Sequence, residues 1–435
     1  MRGGASQQDA ARMERVTAVV LAGGQGTRLF PLTESRCKPA VTFGGRYRLI
    51  DVPLSNSLNA HIRRIFVISQ YFASDLHHHI ASTYPHDLFQ KGGIEMLCPE
   101  EVPHKRVWFK GTADAVRQNL SHLLKTPADY FLILSGDQLY NMDFAALIEC
   151  AERQDADLVI AALPVEEREA KRMGVMKIDS GGRVVDFIEK PGTHELLRPF
   201  QTEQAWLQRR KLKHPERPHF LGSMGIYVFK RDAMVALLQE EGDDFGRNLI
   251  PIQVKRGKTA AFLFDGYWED IGTVASYYEA NLALTEDAAG LNTYDESNPI
   301  YACPHHLPSP MIRNTTVTHS LISQGAIIEA AEISRSVIGV RAHIKQGTII
   351  RDSIVMGNHF YRPPAHQNPP LPAQFSIGEE CVIEKAIIDE HTCIGDRVRL
   401  INRNQLQKYD GDGVYIRDGI IIVTSGTRLP DDFTL

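Results

Sequence analysis

The sequence predicts two domains of different class: an α/β domain with a Rossmann-like, mostly parallel sheet, then a C-terminal left-handed parallel β-helix of hexapeptide repeats. Three observations predict this. From Thr17 to about Leu284, short apolar runs alternate with longer helix-compatible segments, the grammar of strand–helix–strand units. Beyond Met311, isoleucines recur every five or six residues with Gly, Ser, Asn and charged residues between them, too short a period for helical repeats. Between the two lies a stretch rich in Pro, Asn and His. The expected division is a disordered tail over 1–15, an α/β domain over 16–290, a linker over 291–311 and the β-helix over 312–435.

In the first domain VTAVVLA, RIFVIS, YFLILS, DLVIAAL and GIYVFK read as strands buried on both faces. In the second, Ile322, Ile328, Ile333, Ile338, Ile344 and Ile350 each point one aliphatic side chain per short strand into a stacked core. The pattern breaks at HFYRPPAHQNPPLPAQF (His359 to Phe375), whose prolines forbid ladder hydrogen bonds, and resumes at Ile377, Val382, Ile388 and Ile394. That segment reads as a loop ejected from one coil. A pair of β-sandwich sheets is the alternative.

Composition narrows the function classes. The 435 residues are 43% hydrophobic and 23% charged, an ordinary globular balance able to bury sizeable cores. A net charge of -5 argues against a general nucleic-acid binder. No apolar run is long enough to span a membrane. MRGGASQQDAARMER lacks an apolar h-region, so it reads as a tail and not a signal peptide. Cys37, Cys98, Cys150, Cys303, Cys381 and Cys393 show no zinc or C-x-x-C spacing, which suits reduced thiols in a cytoplasmic protein.

The chemistry begins at VVLAGGQGTRLFPLTESRCKPAV (Val19 to Val41), where a strand pours into Gly23, Gly24 and Gly26 and is followed by Arg28 and Lys38. Glycines let backbone N–H groups approach phosphate closely, and the two cations turn a plain tight turn toward phosphate binding. The loop is neither a Walker motif nor G-x-G-x-x-G. FLILSGDQLY ends a strand in Asp137, at the edge where open α/β sheets bind ligands. A carboxylate there holds a divalent cation or caps a turn. GYWEDIGT offers Glu269 and Asp270 as a second metal-ligand source, or an acidic loop capping a helix at Thr273. DFIEKPG places Glu189 and Lys190 at a strand end, and WFKGTADAVRQNL opens a helix on Gly111 and small residues that suit a flat base. His77, His78 and His79 are consecutive on a helix and cannot share one face, so no metal is expected there.

Together and in this order, LAGGQGTRL, KPAV, YRLIDVPLSN, GTADAVRQ, SGDQLY, EKPG, GSMGIYVF, DFGRNLIP and GYWEDIGT resemble the ADP-glucose pyrophosphorylase (glucose-1-phosphate adenylyltransferase) family. The tail from SIGEECVIEKAIIDEHTCIGD onward is more similar to cyanobacterial and plant members than to enteric ones. The resemblance implies transfer of the adenylyl group of ATP to α-D-glucose 1-phosphate, giving ADP-glucose and pyrophosphate for glycogen or starch synthesis. It implies that Leu21, Ala22, Gly23, Gly24, Gly26, Thr27, Arg28, Lys38, Gln70, Gly111 and Thr112 bind ATP. Phe109, Gly174, Glu189, Lys190 and Ser223 would line the glucose 1-phosphate site, and Asp137 and Asp270 would hold Mg²⁺. Arg28, Lys38, Asp137 and Asp270 would carry the reaction.

The same resemblance implies a homotetramer regulated by phosphorylated metabolites, with an anion site at Arg36, Arg48 and Arg417. The enteric activator lysine falls on Ser35, and a lysine of the plant-like site falls on Glu390. An acid among three arginines repels a doubly charged activator, so strong 3-phosphoglycerate activation is not expected. Rival readings are a uridylyl, thymidylyl or guanylyl transferase, a β-helix acyltransferase using His343 or His391, and a regulatory subunit without turnover. Retention of Arg28 and Lys38 favours an active enzyme.

Overall fold

The computed structural model describes residues 7–85, 92–100, 108–203, 219–286, 290–362 and 374–435. A nine-stranded sheet runs through the first domain. Its centre is Val16–Leu21, parallel to Arg64–Ile68 on one side and Tyr130–Ser135 on the other. Gly93–Leu97 extends the parallel run, and Leu158–Glu166 pairs in parallel with Thr259–Leu263. GIYVFK departs from the parallel grammar. It ends the long strand His219–Lys230, which runs antiparallel to both Tyr130–Ser135 and Leu158–Glu166.

The strand period of two divides the interior. Ala18 and Val20 face one core with Leu54 and Leu147, while Val19 faces the other with Val116 and Val254. Helices therefore cover both faces, as continuous apolar strands require.

From Gln7 onward the expected tail is ordered. Residues Gln7–Met13 form a helix, Met13 is 1% exposed in the core, and Arg12 meets Glu152 at 3.0 Å. A methionine held by core packing and an ion pair orders a segment whose composition alone read as solvated.

The second domain stacks short parallel strands on three faces, with Ile328 opposite Ile344, Ile333 opposite Ile350 and Ile338 opposite Val355. Those isoleucines are buried in one core with Ile377, Ile388 and Ile394. Each buried isoleucine contributes about 1.5–3 kcal/mol as an upper estimate. Ile322 packs on this core from its edge, and at the 382 position Ile383 turns inward while Val382 is half-buried. Residues 363–373 of the proline-rich segment lie outside the described residues. On either side the ladder continues directly, since Ile349–Arg351 pairs with Val382–Glu384.

The helix Val274–Ala283 joins the domains. A reciprocal Thr273–Ser276 capping box starts it. Tyr277 and Tyr278 share a core with Val337, Ile354 and Ile387 of the β-helix. Tyr278 donates its hydroxyl to the Asp352 carbonyl at 2.6 Å. The 291–311 stretch is fastened in passing: Asn59 donates to the Pro299 carbonyl at 3.0 Å, and the Tyr301 amide to Ser55 Oγ at 2.9 Å.

Candidate active site

The carboxyl end of the central strand opens into the glycine loop. Gly26 adopts φ 65, and a Cβ there would lie 3.0 Å from Thr33 Cγ2 and 3.1 Å from Lys38 Cβ. Both the left-handed backbone and the close approach require glycine. The loop thus packs on the segment carrying Lys38, which explains why the cation follows so soon in sequence.

Lys38 is buried, with Nζ 2.5 Å from Asp137 Oδ2 and 3.9 Å from Asp270 Oδ1. Asp137 comes from the end of Tyr130–Ser135. Asp270 is delivered by Trp268–Asp270, which pairs antiparallel with Gln138–Tyr140 and places Asp270 opposite Gln138. Burial opposes ionisation of Asp137, but the Lys38 ammonium and the Ser135 hydroxyl, 2.5 Å away, hold its carboxyl below the ordinary value. Asp270 moves the other way: burial and the negative charge of Asp137 raise it. Burial, with help from Asp270, pushes Glu269 up to about 7. Arg28 is exposed beside this pair, its Nη1 3.7 Å from where a Gly272 Cβ would stand.

A cavity of about 650 Å³ adjoins these groups. Leu21, Ala22, Gly23, Gly24, Lys38, Gln70, Phe109, Gly111, Thr112, Asp137, Glu189 and Lys190 all line it. Gln70 bridges the glycine loop to the opposite wall. It donates to the Gly23 carbonyl at 3.2 Å and accepts from the Phe109 amide at 2.9 Å. Lys190, in a left-handed turn, lies 3.4 Å from Glu189, whose carboxyl burial raises. Gly26, Thr27, Arg28, Asp270, Gly174 and Ser223 are not on the cavity wall. Gly174 pairs with Glu189 across a hairpin, and Ser223 Oγ accepts from the Gly225 amide at 3.3 Å within the long strand.

Sequence reasoning missed Gln138, Tyr227, Asp244 and Gly246, which also line the cavity. A Cβ at Gly246 would lie 2.7 Å from Glu189 Oε2, so a side chain there would displace the Glu189 carboxylate. Asp244 accepts from the Thr112 hydroxyl at 3.1 Å and caps the turn after it through the Arg247 amide. The DFGRN motif was the available signal, but its role depends on a contact between distant segments.

Comparison with known families fits this site. Residues 17–287 match the family model described as nucleotidyl transferase, and residues 305–434 match the GLGC left-handed parallel beta-helix domain. The chain belongs to the nucleotidyl transferase family. The two matches in this order are the signature architecture of ADP-glucose pyrophosphorylases.

A nucleotidyl transferase of this kind works with a divalent metal ion, and the residues fit one. Asp137 and Asp270 supply only hard oxygen donors, as Mg²⁺ prefers. Asp137 is close enough to raise the Asp270 carboxyl, and the Lys38 ammonium lies 2.5 Å from Asp137 and 3.9 Å from Asp270.

The arginines expected to hold an effector do not form one open cluster. Arg36 is buried against Asp389 at 3.0 Å and Glu390 at 3.4 Å, and Arg48 pairs with Asp75 at 2.6 Å. Arg417 bonds to Asp410 and lies 5.7 Å over the Phe30 ring. Glu390 is 6% exposed and accepts from the Thr42 hydroxyl at 2.5 Å, so it is not a solvated turn residue. Among the described residues no helix is long and apolar enough to cross a membrane.

Proposed function

We propose that this nucleotidyl transferase joins ATP and α-D-glucose 1-phosphate, forming ADP-glucose and pyrophosphate, the glucosyl-donor step of glycogen or starch synthesis. The observation that carries the reading is the placement of two separate cations, Lys38 and Lys190, on one cavity with Asp137 near the first. Two phosphate-bearing substrates need such a pair, because their mutual repulsion opposes approach. The glycine loop and Lys38 take the triphosphate, with Arg28 at the rim to meet charge on the departing pyrophosphate. The Gln70–Phe109–Gly111 wall receives the base. Lys190 holds the sugar phosphate, while Glu189 accepts hydrogen bonds from sugar hydroxyls. Mg²⁺ bound by Asp137 and Asp270 would neutralise phosphate charge during transfer. With a metal ion on the two carboxylates, Lys38 would be free to contact phosphate oxygen.

Initial rates with glucose 1-phosphate and each of ATP, UTP, dTTP and GTP test the choice of base. ATP is expected to lead by kcat/KM, and a lead by any other overturns the adenylyl assignment. For the sugar end, Lys190→Ala is expected to raise the KM for glucose 1-phosphate by roughly 10–100-fold, the loss of one charged hydrogen bond of about 1.5–3 kcal/mol. The KM for ATP should barely move. A change confined to ATP reassigns Lys190 to the nucleotide. The proposed assembly is a homotetramer, which light scattering of the purified chain checks.

A further inference from the structure

We propose that His359, Glu390 and His391 form a binding site for one divalent transition-metal ion of the zinc class, at the root of the inserted segment and on the seam between the domains. One ligand atom from each residue lies within 4.8 Å of the other two. His359 Nε2 is 3.6 Å from Glu390 Oε2, and the two imidazole rings meet edge to face with centroids 4.9 Å apart. Two ring nitrogens and one carboxylate favour zinc, cobalt or nickel over the magnesium suited to Asp137 and Asp270.

The backbone arranges this convergence. His391 sits at φ 60, an uncommon conformation for a residue with a side chain, so that the consecutive Glu390 and His391 both reach toward His359. The site also has the supporting contacts that metal ligands need. Thr42 holds Glu390 Oε1 at 2.5 Å, leaving Oε2 turned toward His359 and Arg36. The His391 amide donates to Asn358 Oδ1 at 3.0 Å. The His391 Nε2 lone pair accepts only a long bond, 3.3 Å, from the His359 amide, which a metal would replace. Phe375 packs on the His391 ring at 5.0 Å and makes an apolar wall.

Tetrahedral zinc–nitrogen geometry needs ligand atoms roughly 3.3 Å apart. The His359 side chain, 39% exposed, can swing inward to close the difference. His359 and Glu390 also line a cavity of about 360 Å³, from which water reaches the remaining coordination position.

The test uses the full chain, stripped with a chelator and titrated with Co²⁺ and Zn²⁺ in excess Mg²⁺. One Co²⁺ is expected to give the intense visible bands of a four-coordinate, nitrogen-ligated ion, and Zn²⁺ to displace it. His359→Ala and His391→Gln should abolish those bands and weaken Zn²⁺ binding by more than the ~10–100-fold typical of losing an outer partner. Asp137→Asn should retain them. Circular dichroism checks that the variants are folded, and the spectrum of the unaltered chain stands independently of them. Only the weak bands of an oxygen-ligated ion, or equally tight Zn²⁺ binding by His359→Ala, overturns the site.

Discussion

Asp137→Asn is expected to lower kcat by about 10²–10³, the scale seen when one preorganised electrostatic group is removed from a reacting centre. The substitution keeps the shape and removes the charge. Asp137 is poised for a cation: Lys38 lies 2.5 Å away and, with the Ser135 hydroxyl, keeps the carboxyl ionised despite its burial. Asp270 alone would remain to hold a metal, and its own carboxyl would relax downward once the charge raising it is gone. Affinity for Mg²⁺ should therefore fall with kcat, and added Mg²⁺ should recover part of the rate. Steady-state kinetics over a Mg²⁺ series measure both. A near-normal kcat in a folded variant removes Asp137 from the reaction.

Much of this site is legible in the sequence because its parts are local. Gly23, Gly24 and Gly26 follow a buried strand directly, and Asp137 ends another, so strand grammar alone puts both at the ligand-binding edge. The isoleucine period likewise names the β-helix core, because each coil repeats its own strand. What composition hides is pairing between distant segments. That Asp270 faces Lys38 depends on a two-strand ladder joining residues 138–140 to 268–270. That a side chain at Gly246 would displace the Glu189 carboxylate depends on Glu189 arriving from another hairpin. Met13 read as part of a tail because a single apolar residue gives no period, yet it fills the core.

Glu390→Lys shows the same lesson energetically. From sequence, reversing this charge should relieve repulsion of an anionic effector and lower the activating concentration of 3-phosphoglycerate. The structure gives Glu390 a different task. It is buried, 3.4 Å from Arg36, and bonded to Thr42. A lysine there would face the buried guanidinium with like charge, and Asp389 alone would remain as partner for Arg36. Breaking a buried pair in this way costs about 3–5 kcal/mol, so Glu390→Lys is expected to destabilise the protein by that amount. Glu390→Gln, which keeps the Thr42 contact and adds no charge, should cost less. The pH dependence separates the two contributions. The folded-state carboxyl of Glu390 is depressed below its ordinary 4.5. Its stabilisation is therefore complete above that value and is lost as pH falls below it. The gap in unfolding free energy between the unaltered chain and Glu390→Gln should narrow as pH falls from 7 to 3. A stability for Glu390→Lys equal to that of the unaltered chain at pH 7 would show that Glu390 does not hold Arg36 at the domain seam.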